Sequence, residues 1–355
     1  MQHKRVGAAL VAIGALAALP AGAQAATKTV FMGAPPNVAG PLEKKGVESL
    51  NYFPLKTTIR VGDKVKFVVN GFHTLELKTP GAGGGPGGGP SGPKVMGALD
   101  AAGQPFWFNG QSAGGPGGGG PPGRPAFGKS FTLPSPKGFS SGFPFARMPK
   151  PITIKFAKAR TYNFFCLIHG GMETSVKVVG KTGAVPSPKA DARALARQVA
   201  SVKKIAQGLS KTPVPAKTVS MGAEKAGTHF FGFLPGTLSV APGTTVTFKM
   251  PTATRETHTA TFGPGDPNKE PTSYLGKLAK SVESPETDPA VNFPSEKPGT
   301  LASYGPSLHG NGFWNSGPLD GSPKNSSSRL RFDTPGTYTY YCLLHPYMSG
   351  KVKVG

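Results

Sequence analysis

Two short stretches of the chain carry donor sets suited to a soft, redox-active metal. The first is Cys166-Leu167-Ile168-His169-Gly170-Gly171-Met172, and the second is Cys342-Leu343-Leu344-His345-Pro346-Tyr347-Met348. Both read Cys-x2-His-x2-Met. Each directly follows an aromatic run, Tyr162-Asn163-Phe164-Phe165 or Tyr338-Thr339-Tyr340-Tyr341. Each also has one histidine upstream, His73 in Val69-Asn70-Gly71-Phe72-His73-Thr74 and His258 in Arg255-Glu256-Thr257-His258-Thr259. One thiolate, two imidazoles and a thioether form the donor set of an electron-transfer copper site. The soft thiolate brings copper's two oxidation states closer in energy, the imidazoles complete a roughly trigonal plane, and the thioether adds a weak axial contact. No position is left for substrate, so the chemistry expected is one-electron exchange.

Several simpler readings compete. The chain has only two cysteines, and in an oxidising compartment one disulfide between them is the default. A lone Cys-x2-His is half a zinc site, although zinc has little use for a methionine. A methionine three residues after a histidine is commonly core filler. A nucleophilic Cys-His pair would need one copy and no methionine. Duplication weighs against all of these.

That duplication extends well beyond the loops. Lys28-Thr29-Val30-Phe31-Met32-Gly33-Ala34 recurs as Lys217-Thr218-Val219-Ser220-Met221-Gly222-Ala223. The segment from Thr58 to Phe67 recurs from Thr237 to Phe248, and both copies end on Val-Lys-Val, at Val176 and at Val352. The repeated segments alternate β-branched and polar residues and break at Gly62-Asp63 or Pro242-Gly243. Short strands joined by turns, without helices between them, predict an antiparallel sandwich. From Pro188 to Leu209 the pattern changes: Leu195, Val199, Val202, Ile205 and Leu209 recur at helical spacing. The expected organisation is a signal peptide over 1–25, a first domain over 26–180, a helical linker over 181–216 and a second domain over 217–355. The first domain holds a Gly/Pro-rich insertion at about 79–150. The domains are expected to be separable.

At the two loops both copies resemble cupredoxins, the plastocyanin and amicyanin family. The short second loop is closer to that of amicyanin. The resemblance implies an all-β fold, here two tandem Greek-key sandwiches of eight strands, each with one type 1 copper and a role in electron shuttling. Carried over by position, it implies His73, Cys166, His169 and Met172 as ligands of one copper ion, and His258, Cys342, His345 and Met348 as ligands of a second. Two departures stand out. The histidine-to-cysteine separation is 93 residues in one copy and 84 in the other, so each domain carries a long insertion. Gly170-Gly171 replaces Pro346-Tyr347 in the first loop, which predicts a more flexible loop and a less certain axial contact from Met172. The insertions hold the chain's only tryptophans, Trp107 and Trp314, expected to anchor each loop on its own sandwich or to offer a docking surface.

The remaining features bound the setting. Lys4 and Arg5, an apolar stretch from Val6 to Leu19 and Ala23-Gln24-Ala25 form a Sec-type export signal, which predicts a periplasmic, cell-wall-associated or secreted protein. No segment is long and apolar enough for a transmembrane span. The net charge is +23. In an exported protein this predicts acidic redox partner proteins or an anionic envelope surface rather than nucleic acid, with a merely solvated surface as the plainer alternative. Apart from His3 and the four candidate ligands, only His229 and His309 remain, and neither lies in a His-x-His motif. A catalytic type 2 copper centre would therefore need sharing between subunits, and the chain is expected not to be an enzyme. The function expected is electron transfer, with copper handling outside a redox circuit as the alternative.

Overall fold

The alternation in the sequence is realised as strands with one buried face. The computed structural model describes residues 25–77, 93–112, 125–135, 138–144, 149–284 and 287–355. The expected signal peptide, except for its last residue, and much of the Gly/Pro-rich run lie outside them. The first half comprises β1 (Thr27–Met32), β2 (Val47–Ser49), β3 (Tyr52–Phe53), β4 (Lys56–Arg60), β5 (Lys64–Val69), β6 (Glu76–Leu77), β7 (Ser130–Leu133), β8 (Ile152–Phe156), β9 (Arg160–Phe165) and β10 (Glu173–Val179). The second comprises β11 (Thr218–Lys225), β12 (Thr228–Leu234), β13 (Thr237–Val240), β14 (Thr244–Lys249), β15 (Thr261–Phe262), β16 (Ala302–Tyr304), β17 (Trp314–Asn315), β18 (Ser327–Phe332), β19 (Gly336–Tyr341) and β20 (Ser349–Val354). In β5, Val65 and Phe67 are buried while Lys64 and Lys66 face out.

One strand plan serves both halves. The first pairs its sheets as β7-β8-β5-β1 and β6-β9-β10-β4, the second as β16-β18-β14-β11 and β15-β19-β20-β13. The two tandem β-sandwiches expected from the sequence are what the chain forms. Their pairing is mixed, however, rather than antiparallel. β1 runs parallel to β5, β4 to β10 and β7 to β8. β11 and β14, β13 and β20, and β16 and β18 repeat this. The reason lies in the chain path: after β1 the chain crosses to the other sheet for β4 and re-enters at β5 in its original direction. Each half has its own core. Val30, Phe67, Ile154 and Phe164 fill the first, and Val219, Phe248, Trp314 and Tyr340 fill the second. β7 lies inside the interval expected as an insertion; its Leu133 is a core residue, hidden in sequence by the Gly/Pro-rich flanks.

Among the described residues, the α-helices lie in the connections: α1 (Pro36–Glu43), α2 (Pro188–Ala206), α3 (Tyr274–Ser281) and α4 (Pro289–Asn292). Only α2 was legible in sequence. Ser187 caps it by accepting from the Ala190 N–H, Pro188 opens it, and Lys203 and Lys204 lie in its last turn. α1 escapes the sequence reading because Gly40 and Pro41 interrupt a helix of only eight residues.

The halves are closely joined. The apolar stripe of α2 packs into a cluster containing Val38, Leu42, Val47 and Phe53 from the first half and Ala223, Phe230 and Leu234 from the second. β2 of the first half pairs with β12 of the second, placing Glu48 opposite His229. On another side, Val95, Phe106 and Phe108 of the first insertion pack with Leu275, Phe313 and Leu343 of the second half. Trp314 anchors its own sandwich, as expected. Trp107 does not: its Nε1–H donates to the Pro294 carbonyl at 3.0 Å, tying the first insertion to the second half.

Candidate metal centre

Each candidate loop starts where a strand ends. Cys166 follows β9 and Cys342 follows β19, and each loop is closed by the same two backbone bonds. Cys166 N–H donates to Met172 O at 2.9 Å and Met172 N–H to His169 O at 3.0 Å. The corresponding distances for Cys342, Met348 and His345 are 3.1 and 2.8 Å. The loops thus share one closure despite their different central residues. Gly171 meets the difference with a left-handed φ of +80°. Met172 and Met348 are both buried. Phe164 and Tyr340, one residue before each strand end, are fully buried beneath the loops.

The upstream histidines lie on the connections that cross between sheets, His73 between β5 and β6 and His258 between β14 and β15. In the first group His73 Nδ1 lies 3.0 Å from His169 Nδ1, and Cys166 Sγ lies 3.4 Å from His169 Nδ1. In the second, His258 Nδ1 lies 3.1 Å from His345 Nδ1, and Cys342 Sγ lies 3.7 Å from both. The structure therefore brings together His73, Cys166 and His169, and separately His258, Cys342 and His345, each as a group able to hold a metal ion. A single Nδ1 of each imidazole and the sulfur converge, which is the donor chemistry a His2Cys site needs.

A threonine after each upstream histidine completes the frame. The Thr74 N–H donates to Cys166 Sγ at 3.4 Å, and its hydroxyl accepts from the Leu167 N–H at 2.8 Å. Thr259 does the same for Cys342 and Leu343, at 3.4 and 2.8 Å. An N–H aimed at sulfur stabilises a thiolate and fixes its direction. The sequence reading missed these threonines, although the repeated His-Thr dipeptide signals them.

Also missed were the groups that hold the outer edges of the imidazoles. His73 Nε2 lies 3.4 Å from Glu48 Oε1 on β2. A Cβ at Gly71, whose φ is +101°, would strike both atoms, so glycine is required there. His258 Nε2 meets His229 Nε2 at 2.8 Å, and His229 Nδ1 in turn meets Glu224 Oε2 at 3.1 Å. His169 Nε2 lies 2.8 Å from Glu256 Oε1, and His345 Nε2 lies 3.7 Å from Glu256 Oε2. Glu256 belongs to the second half, yet its closer contact is to the first group. The seam is secured by Arg255, whose guanidinium donates to Leu50 O at 2.6 Å and Asn51 Oδ1 at 2.8 Å. Three carboxylates of a strongly basic chain thus converge where the two groups face each other.

Their charges set different proton preferences in the two groups. Burial disfavours the Cys166 thiolate, but His169 and His73 outweigh it and hold its pKa well below the usual thiol value. Burial also opposes a charged His169, yet Cys166 and Glu256 together raise its pKa well above that of free histidine. Glu256 is buried too, and His169 and His345 lower its pKa in spite of that burial. In the second group burial dominates. It pushes the Cys342 thiol up to about 11 and lowers His258, which His345 and His229 depress further. The first group favours a thiolate–imidazolium pair, the second a neutral thiol among neutral imidazoles.

No family model matches the chain, and no curated protein does. Solved structures similar to it are cupredoxins. Amicyanin from Paracoccus versutus is 18% identical with a TM-score of 0.22, over 41% of this chain and 87% of that one. A purple cupredoxin from Nitrosopumilus maritimus is 18% identical with a TM-score of 0.21, over 40% and 100%. Plastocyanin from Dryopteris crassirhizoma is 22% identical with a TM-score of 0.20, over 39% and 99%.

Proposed function

We propose that this chain is an exported electron-transfer protein holding two copper ions, one type 1 site in each half. The observation that carries this reading is the twofold grouping of two imidazole Nδ1 atoms with a buried cysteine sulfur: the paired Nδ1 atoms lie 3.0 Å apart in one half and 3.1 Å in the other, and the sulfur lies 3.4 Å from the His169 Nδ1 in the first and 3.7 Å from both Nδ1 atoms in the second. His73, Cys166 and His169 would hold one copper with Met172 as a further donor; His258, Cys342 and His345 would hold the other with Met348. Bound copper supplies a reversible one-electron couple. The protein orients the donors through closed loops and outer hydrogen bonds, and burial keeps bulk water away. We assign no catalysis to the chain. His229 is occupied between His258 and Glu224, and His309 is held between Asp100 at 3.1 Å and Glu296 at 2.8 Å. An acidic redox protein is the partner class that its charge of +23 favours.

The test is copper loading of the purified protein followed by metal analysis, absorption spectroscopy and redox titration. Two coppers per chain, intense thiolate-to-copper absorption near ~600 nm and reversible one-electron cycling at each site are expected. Bound zinc, or copper without that absorption, would reject the reading. Copper that is readily released and does not cycle would indicate copper handling instead.

A further inference from the structure

The two groups differ in their access to solvent. Cys166, Met172 and His73 are fully or almost fully buried, and the His169 side chain is only 7% exposed because Glu256 of the other half covers its outer edge. His345 is 23% exposed, and its neighbour Tyr347 is 60% exposed. His258 is as buried as His73. Of the four candidate imidazoles, His345 alone offers a substantial edge to an outside molecule. That same imidazole lies against one oxygen of Glu256, whose other oxygen accepts from His169.

We infer that the second site is the entry port and that the first is charged from within, through the His345–Glu256–His169 bridge. This rests on the copper reading above. An electron delivered by a donor protein at the His345 edge would enter the site held by His258, Cys342 and His345. It would then pass to the site held by His73, Cys166 and His169, restoring the second site to its oxidised form. One centre loses what the other gains, with no bond made or broken and no proton required. Glu256 is a positioning residue here. It holds the His169 imidazole toward the second half and closes the gap between the two rings. The charge on its carboxylate also favours imidazoles that keep a proton on Nε2 and so present Nδ1 to the metal.

The experiment uses the full, copper-loaded chain and reduced plant-type ferredoxin as an acidic one-electron donor, with ascorbate as the small reductant. Stopped-flow bleaching of the thiolate-to-copper absorption should show two phases with ferredoxin. The first should scale with donor concentration, and the second should be independent of it. In Cys342→Ala, checked to hold one copper, the first site should lose rapid reduction by ferredoxin and keep its rate with ascorbate. Glu256→Ala should slow the concentration-independent phase, and Glu256→Gln should retain more of it. In the metal-free protein, the hydrogen-bonded His169 Nε2–H proton should be visible by NMR and lost in Glu256→Ala; its absence from the wild type would remove the bridge. Undiminished ferredoxin reduction of the first site in Cys342→Ala would overturn the port assignment. An unchanged second phase in Glu256→Ala would overturn the role of the bridge. Failure to bind copper at all would instead overturn the functional reading itself.

Discussion

His258 and His229 meet Nε2 to Nε2 at 2.8 Å, and this contact determines the tautomers of both rings. His258 can offer an Nδ1 lone pair to a metal only if its proton sits on Nε2, donating to His229. His229 must then carry its own proton on Nδ1, donating to Glu224 Oε2 at 3.1 Å. A relay of two rings and a carboxylate therefore orients the His258 imidazole of the second group.

Removing that relay should weaken one site alone. His229→Ala is expected to lower copper affinity at the second site by about 10–100-fold, the usual effect of losing an outer-shell partner. The first site, held by Glu48 and Glu256, should be unchanged. Competition with a copper chelator measures both affinities. His229→Gln keeps an acceptor and should recover part of the loss; equal weakening of both sites would show that His229 acts through the fold instead.

The cluster between the halves should make them unfold together. Leu42 is buried among residues of both halves and of α2. Leu42→Ala should cost about 2–5 kcal/mol. The loss should appear in one cooperative transition, followed by the fluorescence of Trp107 and Trp314 and by backbone circular dichroism. Two separated transitions, with only one shifted, would mean that the halves unfold independently.

The clasp between the first insertion and the second half should depend on pH. The hydrogen bond to Glu296 raises the His309 pKa, partly opposed by burial and aided by Asp100. Because the folded pKa is raised, the stabilisation is fully present below the free-histidine value of about 6.5 and is lost as pH rises through the folded value. Hydrogen-exchange protection of residues 93–112, corrected for intrinsic rates, should be greater at about pH 6 than at about pH 9. His309→Gln should abolish the difference. Identical protection in the wild type at both values would dismiss the clasp.

Association with an acidic partner should be sensitive to salt. At physiological ionic strength the Debye length is ~8 Å, so long-range attraction toward a +23 chain is largely screened. The second-order rate with an acidic donor should fall across a salt series, and that with a neutral donor should stay flat. A flat response with both would leave the charge without a steering role.

The two His-Cys-His groups were legible because type and spacing repeat: Cys-x2-His-x2-Met twice, each with an upstream histidine. The sandwiches were legible because Val65 and Phe67, like Val246 and Phe248, alternate with polar neighbours. The outer groups were not. Glu48 and Glu224 reach the histidines through strand pairing, and no local pattern marks a carboxylate whose partner lies in another element. Glu256 stood in plain view two residues before His258, but its closer partner is His169 of the other repeat. The stripe on α2 announced a helix without saying that both halves would cover it.

The pairing of β2 with β12 makes this region intolerant of changes in length. Val47 and Ser49 point to one face and Glu48 to the other, where it meets His73. Inserting or deleting one residue within β2 would slip the register and reverse those faces. A carboxylate would enter the apolar cluster, and an aliphatic side chain would replace it beside the imidazole. Homologous chains that preserve this arrangement should therefore tolerate length changes in the turn after α1 but not within β2.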